Sequence, residues 1–363
     1  MNDDKLDELM SAPGMDRAKF IRLGAITIIL PAAAGALGGR AFAAGSMRKA
    51  SKPPWKIARA GEGDVNDWVI FLSAHFDYAI KHKYKNLFSD YLLTAANFDP
   101  TKQVSDVEDL LAQNPDILLI EPVSEGLLAG AVAKAIAQGV PVVLVSTRVS
   151  GNTWTTWVSR NNYKDGLLKG AWMGKKLNGK GNLVALMGLA GTSYANDVWR
   201  GTQASLKKYP GIKILEMQHA NWSAPTAKKV TESFVVKYPK IDGILSDGGQ
   251  MALGAVQAFQ DAGRSIPPLT ADDWNGWMRA ASKLPNLQFY AVSGSSGPIA
   301  TIATDLAVQI LKGQKVAKYH EAPFKTWDQT QLKRWFRPNL SDPYWGFNEL
   351  PAWYLAKHFA LKK

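Results

Sequence analysis

The sequence predicts an α/β protein made of two doubly wound lobes in tandem, and three observations carry that prediction. First, "PDILLI" (115–120) and "VPVVLV" (140–145) are continuously apolar and rich in branched residues, the pattern of strands buried on both faces. Second, Leu127, Leu128, Val132 and Ile136 recur between them at helical spacing and stop at Gly139, which makes a strand-helix-strand unit with a right-handed parallel crossover. Third, the rhythm returns. Strand candidates fall at 182–187, 212–217, 241–246 and 287–292, with helices near 163–177, 194–209, 226–238 and 250–262. In sheets of this kind ligands sit beyond the carboxyl ends of the strands, so the loops after Ala60, Val145, Met187, Met217, Ser246 and Ala271 are the places to look for function.

The bulk composition agrees with such a fold. The 363 residues are enough for two domains, and 46% hydrophobic with 20% charged residues is a globular balance. The net charge of +12 raises the question of a nucleic acid or an anionic surface. The basic residues are scattered, however, and the densest group (Lys81, His82, Lys83, Lys85) reads as the solvated end of one helix. A nucleic-acid partner is therefore not expected. With no cysteine there are no disulfides, thiolate metal sites or lipid-bearing cysteine. The five histidines show no ligand spacing, and neither a metal nor a cofactor is expected.

Residues 1–43 read as an export signal. Three positive charges in "MDRAKFIR" precede an apolar stretch over 23–37, and Ala41-Phe42-Ala43 offers small residues at both positions a signal peptidase reads. The stretch is too short to span a bilayer. The frame "RAKFIR" resembles a twin-arginine signal, with Ala18 where the second arginine belongs. A periplasmic location follows as the expectation.

Three separated motifs resemble one known family. "QVSDVEDLLAQNPDILLIEPVSEGLLAGAVAKAIAQGVPVVLV" (103–145), "GLAGTSYANDVWRG" (188–201) and "KIDGILSDGGQMALGAVQAFQDAG" (240–263) look like the ribose and galactose class of periplasmic sugar-binding proteins of ABC importers, over roughly 56–313. The resemblance implies two Rossmann-like lobes joined by a three-strand hinge, with the ligand cleft between them. The first lobe would span 44–160 plus 294–324 and the second 161–293, with an aromatic-rich extension, 325–363, packed across both. It also implies a monomer that takes a carbohydrate or polyol and hands it to a membrane permease.

The resemblance nominates site residues one by one. Glu62, Asn66 and Trp68 fall on polar and aromatic pocket positions of the first loop, Trp68 as a stacking platform or a core aromatic, Asn66 as a ligand contact or a helix cap. The family's Asp-Arg pair after the fourth strand is replaced by Ser146-Thr147, with Arg148 one place later. Val198 stands where the family has an arginine, and Asn196 and Trp199 are the neighbours able to replace it. Trp222 matches a pocket aromatic, Asp247 a polar contact or helix cap, and Asp273, with Trp274 beside it, the family's ligand carboxylate. Gly294, in a small-residue stretch, either enlarges the pocket or lets the tail reach in.

Other classes fit less well. A glycosidase needs two carboxylates facing one bond, and the adjacent Asp272-Asp273 do not suit that geometry. Neither "GTSYA" nor "SGSSG" forms a nucleophile elbow, so an enzyme is not expected. A lactose-repressor-type regulator would carry a helix-turn-helix where residues 1–43 stand. A periplasmic partner of a chemoreceptor or kinase remains the alternative reading.

Overall fold

A computed structural model describes residues 52–361, so the export signal expected at 1–43 lies outside the described residues. Five parallel strands build the first sheet: β1 (Trp55–Gly61), β2 (Phe88–Ala95), β3 (Ile117–Ile120), β4 (Val142–Val145) and β5 (Thr156–Ser159). Five more build the second: β6 (Lys180–Met187), β7 (Gly211–His219), β8 (Gly243–Ser246), β9 (Leu269–Ala271) and β10 (Phe289–Val292). Their orders are the same, β2-β1-β3-β4-β5 and β7-β6-β8-β9-β10. Each is closed by a late strand: β11 (Tyr319–Glu321) joins β5 in parallel and β12 (Thr326–Asp328) joins β10 antiparallel. This is the doubly wound order whose switch point opens a crevice beside the first strand.

The central strands are apolar throughout because helices cover both faces. In β3 and β4 every residue is buried. The first lobe carries α1 (Asp67–Tyr78), α2 (Pro100–Ala112) and α3 (Leu128–Ala137); the second carries α4 (Asn162–Lys176), α5 (Ser193–Leu206), α6 (Ala224–Lys237), α7 (Gly249–Asp261) and α8 (Asn275–Ala281). The starts are chemically marked: Asn66, Asp99, Asn161, Thr192 and Ser223 each accept a backbone N–H of the first turn. Helix α9 (Gly297–Leu311) follows β10 in sequence but packs Ile299, Ala300, Ala303 and Leu306 against Ile57 and Val143 of the first sheet. The chain therefore crosses between lobes at 160–161, 293–296 and 322–325.

Those crossings are stitched together. The Ser293 N–H donates to Lys325 O at 2.7 Å, the Lys325 N–H donates to Ser293 Oγ at 2.9 Å, and the buried Arg160 guanidinium donates to Ser293 O. Beyond the last crossing, β12 is an edge strand of the second sheet rather than an appendage, which moves this part of the expected extension into the second lobe. The rest, with α10 (Leu332–Trp335) and α11 (Ala352–His358), touches both lobes. Arg279 of α8 pairs with Asp342 at 2.9 Å, while Tyr344 and Tyr354 set their rings against Phe71 and Tyr78 of α1, centroids 5.9 and 5.4 Å apart. Among the described residues no helix is long and apolar enough to cross a membrane.

Candidate functional site

A cleft enclosing about 550 Å³ of space, open solvent included, lies where the carboxyl ends of the two sheets face each other. The first lobe lines it with Glu62 after β1, Asn66 and Trp68 at the start of α1, and Ser146 and Thr147 after β4. From the second lobe come Tyr194 in the first turn of α5, Trp222 after β7, Asp247 to Gln250 after β8, and Asp272 after β9. Gly294 of the middle crossing and Trp345 of the C-terminal segment complete the lining.

Each lining group is held by an identifiable contact. Asn66 accepts the N–H groups of Trp68 and Val69 at 3.0 and 3.1 Å, so it caps α1 and faces the cavity at once. The Trp68 indole N–H donates to Gly294 O at 2.7 Å, fixing the ring against the hinge. Thr147 donates its hydroxyl to Pro122 O at 2.8 Å, and Ser146 turns the chain at φ 63°. Trp222 donates to Asp247 Oδ1 at 3.0 Å, and the Gly188 N–H donates to Oδ2 at 2.8 Å. Asp247 thus orients an aromatic wall; it does not cap α7, whose first residue follows Gly248 without a side-chain bond. Gly188 has a steric reason to be glycine, because a Cβ there would run into the Trp222 ring.

Five nominated residues lie elsewhere. Asp273 is fully buried, and its oxygens are already taken: Oδ1 accepts the N–H of Gly294 at 2.6 Å and of Ser295 at 3.2 Å, and Oδ2 accepts that of Phe347 at 2.7 Å. Its neighbour Asp272 is the carboxyl that faces the cavity. Trp274 is buried and donates to Asp67 Oδ2 at 2.8 Å. Arg148 sits at the rim, where it pairs with Asp197 of the opposite lobe at 2.6 Å and with Glu125 at 3.2 Å. Asn196 is exposed on α5, and Trp199 packs with Met173 and Leu206 on the far side of that helix.

The cavity is acidic. Burial, with Glu121 close by, pushes the Glu62 carboxyl up to about 8, and that carboxyl makes no hydrogen bond to a described residue. Burial lifts Asp247 to about 7, and burial with the Asp273 charge beside it lifts Asp272 to about 7. The compensating cations lie behind the wall. Arg59 grips Glu121 through two bonds of 2.7 and 2.8 Å, and Lys169 bridges Asp165 and Asp247 O, both at 3.0 Å. Arg160 donates to the Tyr194 hydroxyl at 2.9 Å and holds it toward the cleft. Indole faces framed by carboxyl and hydroxyl groups match a ligand with an apolar face and a hydroxyl rim.

Tyr194, Asp272, Gln250 and Trp345 were not nominated from the sequence. The first-turn position of Tyr194 after the "GLAGTS" loop was the available signal for it; for Trp345 the signals were the density of aromatics around it and the small residues at Gly294, which leave room for the tail to reach in.

Fold and cleft define a two-lobed binding protein. The chain belongs to the periplasmic binding protein family: residues 66–315 match the family described as periplasmic binding protein domain. Among curated relatives, the xylitol-binding protein of Mycolicibacterium smegmatis is 29% identical over 299 residues, 81% of this chain and 82% of that protein. The ribose import binding protein of Bacillus subtilis is 32% identical over 64% of this chain and 75% of its own. Among solved structures, an ABC transporter solute binding protein from Mycobacterium smegmatis with bound glycerol superposes at a TM-score of 0.73, with 22% identity, covering 82% of this chain and all of that one. A galactofuranose binding protein superposes at 0.72, with 22% identity over 77% of this chain and 97% of that one. At these identities the two structures speak for the fold.

Proposed function

We propose that this chain is an extracytoplasmic solute-binding protein that captures a sugar or polyol between its lobes and delivers it to the permease of an ABC importer. The observation that carries the reading is the cavity itself, closed by both lobes at the carboxyl ends of their sheets and lined by three indoles, a phenol and three carboxyl groups. The relatives that bind xylitol and ribose agree with it. Capture needs no chemistry. A ligand bridging the two walls stabilises the closed arrangement by its differential affinity for it, and the closed lobe tips then form the surface a permease reads.

Binding without turnover also fits the carboxyl geometry. Asp273, one of the two adjacent aspartates, is occupied by three backbone N–H groups and faces no ligand, so no pair of free carboxyls flanks a bond at that point. Export through residues 1–43 to the periplasm belongs to the same reading.

A thermal-shift series on the protein lacking residues 1–43 tests it, using pentoses, hexoses, polyols, sugar acids and neutral amino acids. A ligand of the folded state raises the melting temperature by mass action. We expect a rise with one carbohydrate or polyol class; a rise confined to the amino acids, or none at all, would sink the assignment.

A further inference from the structure

The cavity has one wall that no strand-end loop supplies. Trp345 comes from the segment past the last hinge crossing, is 3% exposed, and still lines the ligand space. Its backbone forms an antiparallel bridge with Trp274. Around that bridge, the Asn275 N–H donates to Tyr344 O at 2.9 Å, the Gly346 N–H to Asp273 O at 2.9 Å, and the Phe347 N–H to Asp273 Oδ2 at 2.7 Å. The segment is thereby pinned to the second lobe at successive residues.

The side chain is pinned to the first lobe. The Trp345 indole N–H donates to Asp67 O at 3.4 Å, and the Trp274 indole N–H donates to the carboxylate of the same residue at 2.8 Å. Asp67 lies between the lining residues Asn66 and Trp68, so two indoles clasp the turn that presents them. On its third side the ring abuts the hinge: a Cβ built on Gly294 would come within 2.9 Å of it. A large, flat group held by backbone, by its own N–H and by the hinge cannot swing aside to admit a longer ligand.

We propose that Trp345, held in place by its neighbours Tyr344, Gly346 and Phe347, forms a third wall of the ligand site and is the specificity-determining residue that limits ligand length, confining the site to one sugar ring or one short polyol. The inference rests on the carbohydrate reading and adds the length rule and its agent. Asp273 serves as the staple of this wall. Its two oxygens join Phe347 to Gly294 and Ser295, so the carboxylate holds the length stop in register with the hinge.

The test is calorimetric titration of the full-length wild type and the variants Trp345→Ala and Trp345→Phe with glycerol, xylitol, sorbitol and the disaccharide alcohol maltitol. In the wild type, binding should stop before maltitol. Trp345→Ala should lose at least tenfold in affinity for the shortest ligand the wild type binds, while its preference shifts toward maltitol by at least tenfold, with Trp345→Phe between the two. An unchanged length preference in folded Trp345→Ala overturns the proposal and leaves the carbohydrate reading intact. Failure of every polyol, and of the pentoses and hexoses of the thermal-shift series, to bind folded wild type overturns both. Should Trp345→Ala not fold, Gly294→Ala decides: pushing the ring into the cavity must weaken the longest accepted ligand more than the shortest, and equal weakening refutes the length rule.

Discussion

The two lobes share a strand order, yet they present walls of different electrical character. In the first, the buried Arg59 guanidinium and the Glu121 carboxylate neutralise each other through two bonds, and the groups lining the cavity are Glu62, a capping Asn66, two hydroxyl residues and an indole. In the second, Asp165, Asp247, Asp272 and Asp273 gather around Lys169 and Arg160, and burial raises Asp247, Asp272 and Asp273. The same topology thus supplies one wall with a single raised carboxyl beside a neutralised ion pair and one with two raised carboxyls. The loops decide the difference, since the doubly wound frame beneath them is alike.

The contrast is open to attack at several points. The largest effect belongs to the balanced pair. Glu121→Gln leaves Arg59 charged in an apolar interior and should cost about 3–5 kcal/mol in denaturant unfolding, whereas Arg59→Met combined with Glu121→Leu should recover most of that loss. If the single substitution proved mild, the first wall would not be held by that pair.

The adjacent aspartates should separate next. Asp273→Asn turns an amide toward backbone donors and should cost about 2–3 kcal/mol of stability by leaving buried N–H groups without acceptors. Asp272→Asn should instead weaken ligand binding at least tenfold while melting no lower than wild type at pH 8, because it removes a carboxyl that burial disfavours as an anion. Parallel melting and titration of both variants distinguish the staple from the ligand contact.

Acidity itself should register in the melting of the free protein. Glu62 at about 8 and Asp247 and Asp272 at about 7 all lie above their unfolded values near 4. For these three groups the folded state holds more protons than the unfolded chain, so their contribution to stability falls as pH rises from about 4 to about 8, while buried His75, lowered to about 4, contributes in the opposite sense below about pH 6.5. Calorimetric scans should show a higher melting temperature at pH 5 than at pH 8, with the difference reduced in Glu62→Gln. The smallest effect is expected at the rim. Removing the cross-lobe ion pair with Arg148→Met should lower affinity no more than about fivefold, as befits a partly exposed pair worth about 1 kcal/mol or less, and Asn196→Ala should change nothing.

Much of the frame was legible because its signals are local. Continuous apolar runs such as "PDILLI" and "VPVVLV" and the polar caps before the helices read directly as elements. Short or half-exposed strands carried little such signal. β2 is an edge with mixed burial, while β11 and β12 are three residues each and exist through pairing with chain far away in sequence. In the site, Glu62, Asn66, Trp68, Ser146, Thr147, Trp222 and Asp247 line the cavity because the loop after a strand end points there by topology. Asp272 and Asp273 could not be told apart. Successive side chains leave a strand end in opposite directions, and the register that settles which one meets the ligand is fixed by β8 and β10, not by the pair. Arg148 was drawn off by Asp197, a partner 49 positions away that no spacing rule brings to it.

The bond between Trp345 and Asp67 joins residues 278 positions apart. Contacts of such separation form late, since the loop they close must first be collapsed by nearer pairings. A chain that ended between residues 328 and 345 would hold every strand of both sheets and still lack a side of its binding chamber. Under the length rule, a molecule that takes short ligands and refuses long ones has its last segment docked.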